Sequence, residues 1–547
     1  VGKLAQIKVS DLTFCYEGSY DNIFEHVNLQ IDSDWRCGLI GRNGKGKTTF
    51  LKLLTGAYEY SGAITGPMES VYFPYTLPGE ARKPQSSMHY GILEGRTLSD
   101  ETRQSRKGMP NSILGEEAFP NPDRSFQTTM ELLEELNPDY ELWKVCRELD
   151  QLSVDPEVLN RSFHTLSGGE QTKILLALLF SGENRFLLID EPTNHLDMEG
   201  REKTAEYLRK KKGFLLVSHD KWFLDRCVDH VLVLERQTIT VMQGNFTSWQ
   251  EQKAKRDACA LAENERLQKD ISHLREAARQ AEGWSNAVEK TKLGTRTGGL
   301  RPDRGFIGHK SAKMMKRAKN TQHRMEKAAQ EKEGLLNNLE TAEELKLFPL
   351  TYHKERLIKA EGLSLFYGEK SVCRDVSFEL RNGMQLALKG GNGCGKSSIL
   401  KKILGDEIES RGEVFAASNL VISYVPQDVS GLSGGLLDYA RERELTVHLF
   451  LALLRKLDFP RVQFEKDMSC YSEGQKKKVA LAASLLTRAH LYIWDEPLNY
   501  IDIFSRMQLA ELIRTYRPAM LLVEHDRGFL EEIGAETLEV RGGNTAK

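Results

Sequence analysis

Gly41-Arg42-Asn43-Gly44-Lys45-Gly46-Lys47-Thr48 is the stretch whose residue types most narrow the chemistry. Glycines at that spacing let main-chain N–H groups face phosphate oxygens, a lysine adds a point charge, and a hydroxyl can ligate Mg2+. Arg36 to Ile40 reads as a strand before the loop and Thr49 to Leu54 as a helix after it, the setting this motif requires. Downstream, the apolar run Phe186-Leu187-Leu188-Ile189 ends in Asp190 and Glu191. A carboxylate at such a strand end is placed to hold a metal, and the next one to polarise an attacking water. A second apolar strand ends Ser218-His219-Asp220. A lone histidine is usually structural, but one at a strand's carboxyl end beside an acidic pair favours contact with a γ-phosphate. Leu166-Ser167-Gly168-Gly169-Glu170 opens an apolar helix ahead of the carboxylate strand.

The whole series then returns. Gly390-Gly391-Asn392-Gly393-Cys394-Gly395-Lys396-Ser397-Ser398 is a second phosphate loop, Tyr471-Ser472-Glu473-Gly474-Gln475 matches Leu166 to Glu170, Asp495-Glu496 match the carboxylates, and Glu524-His525-Asp526 the histidine. Phe366-Tyr367 likewise matches Cys15-Tyr16. Ser167 to Ser472 and Asp190 to Asp495 are both 305 positions, and a motif series repeated at constant offset is highly specific. Lys47 to Lys396 is instead 349 positions, so the first half holds 44 extra residues. Composition places them at about 78–124, where periodicity vanishes. The bland reading is a polar surface insertion. The functional one is a second projection, since Arg82, Lys83, Arg96, Arg103, Arg106, Lys107 and Arg124 fall there. Leu432-Ser433-Gly434-Gly435 imitates the helix-opening motif but follows Gln427 too closely, and is expected to be a loop.

In order and spacing these pieces resemble the nucleotide-binding domain of ABC ATPases: phosphate loop, signature, carboxylate strand with catalytic glutamate, and switch histidine. The resemblance implies ATP and Mg2+, with two domains closing head to tail so that each ATP lies between one phosphate loop and the other domain's signature. Site one then uses Tyr16, Gly41, Asn43, Gly44, Gly46, Lys47, Thr48, Thr49, Asp190, Glu191 and His219 with Ser472, Gly474 and Gln475. Site two uses Tyr367, Gly390, Asn392, Gly393, Gly395, Lys396, Ser397, Ser398, Gln427, Asp495, Glu496 and His525 with Ser167, Gly168 and Gly169. Metal ligands are Thr48 and Asp190 in one, Ser397, Gln427 and Asp495 in the other; Glu191, Glu496, His219 and His525 are catalytic. Site one departs from the family pattern twice, with Tyr75 where a glutamine belongs and Glu473 in place of a glycine. Site two departs only in Glu170 for glutamine, and is expected to hydrolyse faster.

Everything so far occurs twice; the stretch from about Phe246 to Leu350 occurs once. Leu267, Ile271, Leu274, Ala278 and Ala281 recur at helical spacing, as do Met315, Ala318, Gln322, Met325 and Ala329. A seam that narrow suits two polar helices packed antiparallel, each arm about 35 residues and so on the order of 50 Å. Gly294, Gly298, Gly299, Pro302, Gly305 and Gly308 mark the turn between them. From Lys290 to Lys327 twelve basic residues face only Asp303 and Glu326, a formal +10 in a chain of net charge -2. Solvated helices mix signs, so a one-signed projection points to a polyanion, most simply a phosphate backbone. The candidate RNA contacts are Lys290, Lys292, Arg296, Leu300, Arg301, Pro302, Arg304, Phe306, Lys310, Lys313, Lys316, Arg317 and Lys319.

Length and composition agree with this plan. The 547 residues allow two or three domains, at about 1–245, 246–350 and 351–547, of α/β class with a long antiparallel α-helical hairpin joining two tandem nucleotide-binding domains. No apolar run approaches the roughly 20 residues that span a bilayer, no signal-peptide core opens the sequence, and eight scattered cysteines fit a reducing, cytoplasmic setting. An importer's tandem ATPase subunit has no use for a basic hairpin, repair ATPases interrupt a domain rather than join two, and the ribosome-recycling ATPase needs an N-terminal cysteine-rich domain. The linker between two complete domains resembles instead the ABC-F proteins. "GLIGRNGKGKTT", "QGNFTSWQEQKAKRDACALAENE", "LYIWDEPLNYID" and "RPAMLLVEHD" are similar to their Lsa-type antibiotic-resistance branch. That resemblance implies a monomer with an intramolecular sandwich that binds the 70S ribosome at the E site. It would contact 23S rRNA and P-site tRNA and protect bacteria from lincosamides, streptogramin A and pleuromutilins. A housekeeping translation factor of the same architecture is the alternative.

Overall fold

The computed structural model describes residues 6–16, 22–66, 69–75, 128–182, 185–194, 196–235, 237–291, eleven residues within 313–328, 347–457 and 459–543. Two compact units are present: Val1–Phe246 with Leu345–Lys547, and Thr247–Glu344. The first unit contains both halves of the repeat. The insertion at about 78–124 and the turn with its candidate contacts Lys292 to Lys310 lie outside the described residues.

Each half is a sheet of mostly parallel strands covered by helices. In half one the strand order is Glu69–Phe73, Arg185–Asp190, Phe214–Val217, Arg36–Ile40, His230–Glu235 and Thr238–Gln243. Only the last pair is antiparallel. In half two it is Ile422–Val425, Leu491–Asp495, Met520–Val523, Gln385–Lys389 and Glu536–Glu539, all parallel. Strands buried on both faces must read as continuous apolar runs, and Phe214–Val217 and Leu491–Asp495 are buried at every position. A three-stranded antiparallel sheet flanks each half, built on Gln6–Phe14 and Arg356–Tyr367 respectively.

Register delivers the chemistry to one edge. Asp190 pairs with Val217 and Asp495 with Val523, so each carboxylate strand ends level with the strand that leads into a histidine. The main chain then turns sharply: Glu191 and Glu496 adopt φ of 49° and 46°, and their amides donate to Val217 O and Val523 O, both at 2.9 Å. Leu432 and Ser433 lie in a loop, as the sequence predicts, although a seven-residue helix, Leu436–Glu442, follows directly.

In the second unit, Phe246–Thr291 is one helix of 46 residues, longer than the expected arm and about 69 Å at 1.5 Å per residue. Ile271 is buried while Leu267 and Leu274 are half-buried among exposed neighbours, the seam the spacing predicts. Lys313, Lys316, Arg317 and Lys319 are helical and exposed, and Met325 is half-buried. Lys290 lies within the long helix, its side chain outside the described set. Among the described residues no helix is long and apolar enough to cross a membrane.

Candidate functional site: a nucleotide cleft shared by the two halves

A cleft of about 630 Å³ opens where the phosphate loop of half one faces the signature of half two. Tyr16, Asn43, Gly44, Gly46, Lys47, Thr48, Thr49, Asp190, Glu191 and His219 line it from one side, Ser472 and Gly474 from the other. The structure thus brings together nearly the whole set assigned to site one. Gly41 contributes through its carbonyl, which accepts from Lys47 Nζ at 2.8 Å. Gln475 folds back instead: its Oε1 accepts from Ser472 N at 3.0 Å and Gln475 N donates to Ser472 Oγ at 3.3 Å, a capping box that fixes the helix start.

Local rules explain the loop's shape. Gly46 has φ +100°, and a Cβ there would sit 2.6 Å from Ile23 Cγ2, so only glycine fits the turn that aims the helix Lys47–Leu54 at the cleft. Thr48 Oγ1 donates to Asp190 Oδ2 at 2.7 Å, which puts a hydroxyl and a carboxylate side by side. Tyr16 OH lies 2.7 Å from Thr49 Oγ1, holding the aromatic ring over the helix start. Tyr72 OH also donates to Asp190 Oδ2, at 3.0 Å.

Sequence reading missed Tyr72 and Tyr500. Tyr500 enters from half two with φ +63°, accepts from Asn43 Nδ2 at 2.9 Å through its carbonyl, and lines the cleft beside Glu473. Gly474 is required there, because a Cβ would fall 2.8 Å from Tyr500 O. Tyr75 is half-buried, and desolvation pushes its phenol up to about 12, so it stays neutral.

Site two repeats the plan with different details. Lys396 Nζ donates to Gly390 O and Gly391 O, both at 2.9 Å. Gly395 has φ +91° and a Cβ there would lie 2.8 Å from Val372 Cγ1. Tyr367 OH donates to Ser398 Oγ at 3.3 Å. Half one reaches across with Asp197, whose Oδ2 would be 3.7 Å from a Cβ on Gly391. Ser167 caps the helix Gly168–Ser181 through a box with Glu170, so glutamate at that position does the structural work of glutamine. Asn499 Nδ2 donates to Glu496 Oε2 at 2.7 Å. Gln427 is exposed, and its carbonyl accepts from Lys477 Nζ at 3.2 Å.

The two candidate catalytic carboxylates differ in their distance to the neighbouring histidine. Burial, with the Asp190 charge next to it, pushes Glu191 up to about 8. His219 Nε2 lies 3.3 Å from Glu191 Oε1, an oxygen that makes no hydrogen bond. In site two the corresponding distance, His525 Nε2 to Glu496 Oε1, is 3.9 Å. Burial holds His219 well below the usual imidazole range and His525 at about 3. Both are therefore neutral near pH 7 and available as hydrogen-bond donors.

The donor set fits Mg2+. Asp495 Oδ1 is buried with no hydrogen-bond partner, and burial raises both Asp190 and Asp495 against the help of their hydroxyl neighbours, Thr48 and Ser397. Among the described residues no group of three or more His, Cys, Asp or Glu gathers for a metal. One hydroxyl and one carboxylate per site suit a hard cation that keeps waters and takes phosphate oxygens.

Ion pairs lie along the boundary between the halves, one buried pair in each half and a solvent-exposed pair across it. Arg201 pairs with Asp220 at 3.1 Å, Arg506 with Asp526 at 2.8 Å, and Arg527 reaches Glu202 across the boundary at 3.5 Å. Burial and the facing Asp526 push Asp220 up to about 6, so the two acidic groups sense one another across the boundary.

The ABC transporter family model matches residues 24–194 and 373–499, the two segments that supply these loops. The chain is 27% identical over 546 residues to Ribosome protection protein VmlR of Bacillus subtilis (strain 168), covering 97% of this chain and 86% of that one. It is 24% identical over 535 residues to Energy-dependent translational throttle protein EttA of Haemophilus influenzae, covering 95% and 89%. Among solved structures, the archaeal ribosome recycling factor aABCE1 in complex with the stalk protein aP1 aligns with a TM-score of 0.57 at 17% identity, over 97% of this chain and 90% of that one, a likeness of fold.

Proposed function

Because the chain belongs to the ABC transporter family, as an ATPase of the ABC-F type, we propose that it is a cytoplasmic protein that binds the bacterial 70S ribosome at the E site. There it protects the peptidyl-transferase centre from lincosamides, streptogramin A and pleuromutilins. What supports this reading above all is that the likeness to a ribosome protection protein runs through 97% of the chain, and therefore through 247–344 as well as the ATP-binding halves.

The chain hydrolyses ATP, and its own residues account for the steps. Tyr16 and Tyr367 offer the base a ring, and the glycine-rich loops with Lys47 and Lys396 receive the phosphates. Thr48 with Asp190, and Ser397 with Asp495 and Gln427, would hold Mg2+, which would supply positive charge against the β- and γ-phosphates. Glu191 and Glu496 orient and deprotonate the attacking water, and the neutral His219 and His525 donate toward the γ-phosphate. Ser472 and Gly474, or Ser167 to Gly169, complete each site from across the boundary, so triphosphate favours the closed arrangement and hydrolysis releases it. Lys313, Lys316, Arg317 and Lys319 pair with rRNA phosphates, and the turn between the helices, with Leu300, Arg301, Pro302 and Phe306, acts on rRNA or P-site tRNA beside the drug pocket.

The likeness to a translational throttle protein favours a second reading, a housekeeping translation factor. A susceptibility panel in bacteria with and without the protein separates the two. Protection raises the inhibitory concentration of these three drug classes and of no unrelated antibiotic; an unchanged panel leaves the translation-factor reading.

A further inference from the structure

The helix Glu473–Leu486 starts at one ATP site and is fastened at the other. Its first turn presents Ser472, Glu473 and Gly474 to the cleft of half one. One turn later Lys477 points inward and is 2% exposed. Its Nζ donates to Pro426 O at 2.8 Å, Asp495 O at 3.1 Å and Gln427 O at 3.2 Å. All three N–H bonds therefore end on main-chain carbonyls of the strand and loop that build site two. A buried ammonium is costly unless its donors are satisfied, so these carbonyls and the helix are held in one arrangement.

Half one has no such tie at that position. Thr172 stands 305 positions upstream, and its hydroxyl donates to Gly168 O inside its own helix at 2.9 Å. Neighbouring positions add ties in half two, one of them, Lys478 with Asp502, matched in residue type by Lys173 and Asp197 of half one. Lys478 Nζ donates to the buried Asp502 at 2.8 Å, and Lys476 Nζ to Ser430 O at 2.6 Å, so three consecutive lysines pin the signature helix to loops of half two. Glu524, in place of Ser218, accepts from the amides of Leu498, His525 and Asp526, whereas Ser218 Oγ accepts from the Asp220 amide at 3.2 Å and lies 3.4 Å from Thr193 Oγ1.

We propose that Lys477 is a positioning residue that couples the two ATP sites through half two, tying the signature turn that closes site one to the main-chain carbonyls of Gln427 and Asp495 in site two. Movement of the Gln427 loop when nucleotide enters site two is then passed to Ser472–Gly474. By linkage, occupancy of site one acts back on site two to the same extent. At the matching position of half one, Thr172 keeps its hydroxyl bond within its own helix.

The test uses the full chain with Glu191→Gln and Glu496→Gln to stop hydrolysis, and needs no ribosome, so it stands or falls separately from the proposed function. Photolabelling with 8-azido-ATP, read by mass spectrometry of the peptides around Tyr16 and Tyr367, gives the half-saturation of each site. With Lys477 present, disabling site two by Lys396→Ala weakens site one by about tenfold, within the usual range of such couplings. With Lys477→Thr, which installs the half-one residue, that factor falls to about twofold or less, whereas a merely structural role lowers affinity and leaves the ratio alone. Lys477→Gln serves if the threonine variant loses its folded thermal transition. A ratio unchanged by either variant, or a parent chain in which site one ignores Lys396→Ala, overturns the proposal.

Discussion

Replacing the two candidate catalytic glutamates one at a time tests the proposed inequality of the sites. At pH 7 a carboxyl pushed up to about 8 is ionised roughly a tenth of the time, a deficit of about 1.4 kcal/mol in the supply of the base form. If Glu191 is the base of site one, that fraction sets its share of turnover, and Tyr75 does not line the cleft in place of the family's amide. If the sites are otherwise equal, site two carries about nine-tenths of steady-state phosphate release. Glu496→Gln then cuts the rate by about tenfold, while Glu191→Gln costs well under twofold. The sign of the pH effect follows from the same shift. The base form of a carboxyl with a raised pKa is lost below that value and gained above it. Residual activity of the Glu496→Gln chain therefore climbs by about tenfold between about pH 7 and pH 9, as Glu191 loses its proton. Phosphate release at saturating Mg-ATP measures both effects. A larger loss in Glu191→Gln than in Glu496→Gln, or a flat residual rate across that pH range, refutes the reasoning.

Three further outcomes follow from particular contacts. Gly46→Ala forces a Cβ to 2.6 Å from Ile23 Cγ2 at φ +100° and costs about 1–3 kcal/mol of loop strain, so ATP binding at site one weakens by at least about fivefold; unaltered labelling around Tyr16 contradicts this. Arg506→Met leaves buried Asp526 without its 2.8 Å partner and removes the guanidinium bonds to Leu498 O and Ile501 O. The cost, about 3–5 kcal/mol, lowers the thermal midpoint by roughly 10 °C, and an unmoved midpoint rejects a structural role for the pair. Exchanging Lys313, Lys316 and Lys319 for glutamine removes three exposed cations and lowers the slope of log affinity for ribosomes against log salt by about 2; an unchanged slope demotes the linker to a spacer.

The parts legible in the sequence were those where one residue type alone meets a physical demand. Gly46 and Gly395 must take positive φ, Lys47 and Lys396 must bring charge to phosphate, and strands such as Phe214–Val217 must be apolar on both faces. Constant spacing then paired the two series, and the composite cleft gathers the residues assigned to site one from both halves. What escaped notice works through atoms that no residue type announces. Tyr500 meets Asn43 with a main-chain carbonyl, and Tyr72 meets Asp190 through a hydroxyl on a strand whose aromatic residues read only as core. Lys476, Lys477 and Lys478 look like a solvated face, yet all three are buried, because backbone carbonyls and one carboxylate wait for them inside. The long helix was underestimated because a polar helix with a narrow seam carries no marked end; Phe246–Thr291 runs on through Gly283.

Trapping bears most directly on the account as a whole. The chain with Glu191→Gln and Glu496→Gln is mixed with purified 70S ribosomes in Mg-ATP or Mg-ADP and pelleted through sucrose. Retention on the ribosome in ATP and release in ADP is the predicted result. Protein that binds and labels with ATP yet stays in the supernatant under both nucleotides contradicts a ribosomal role.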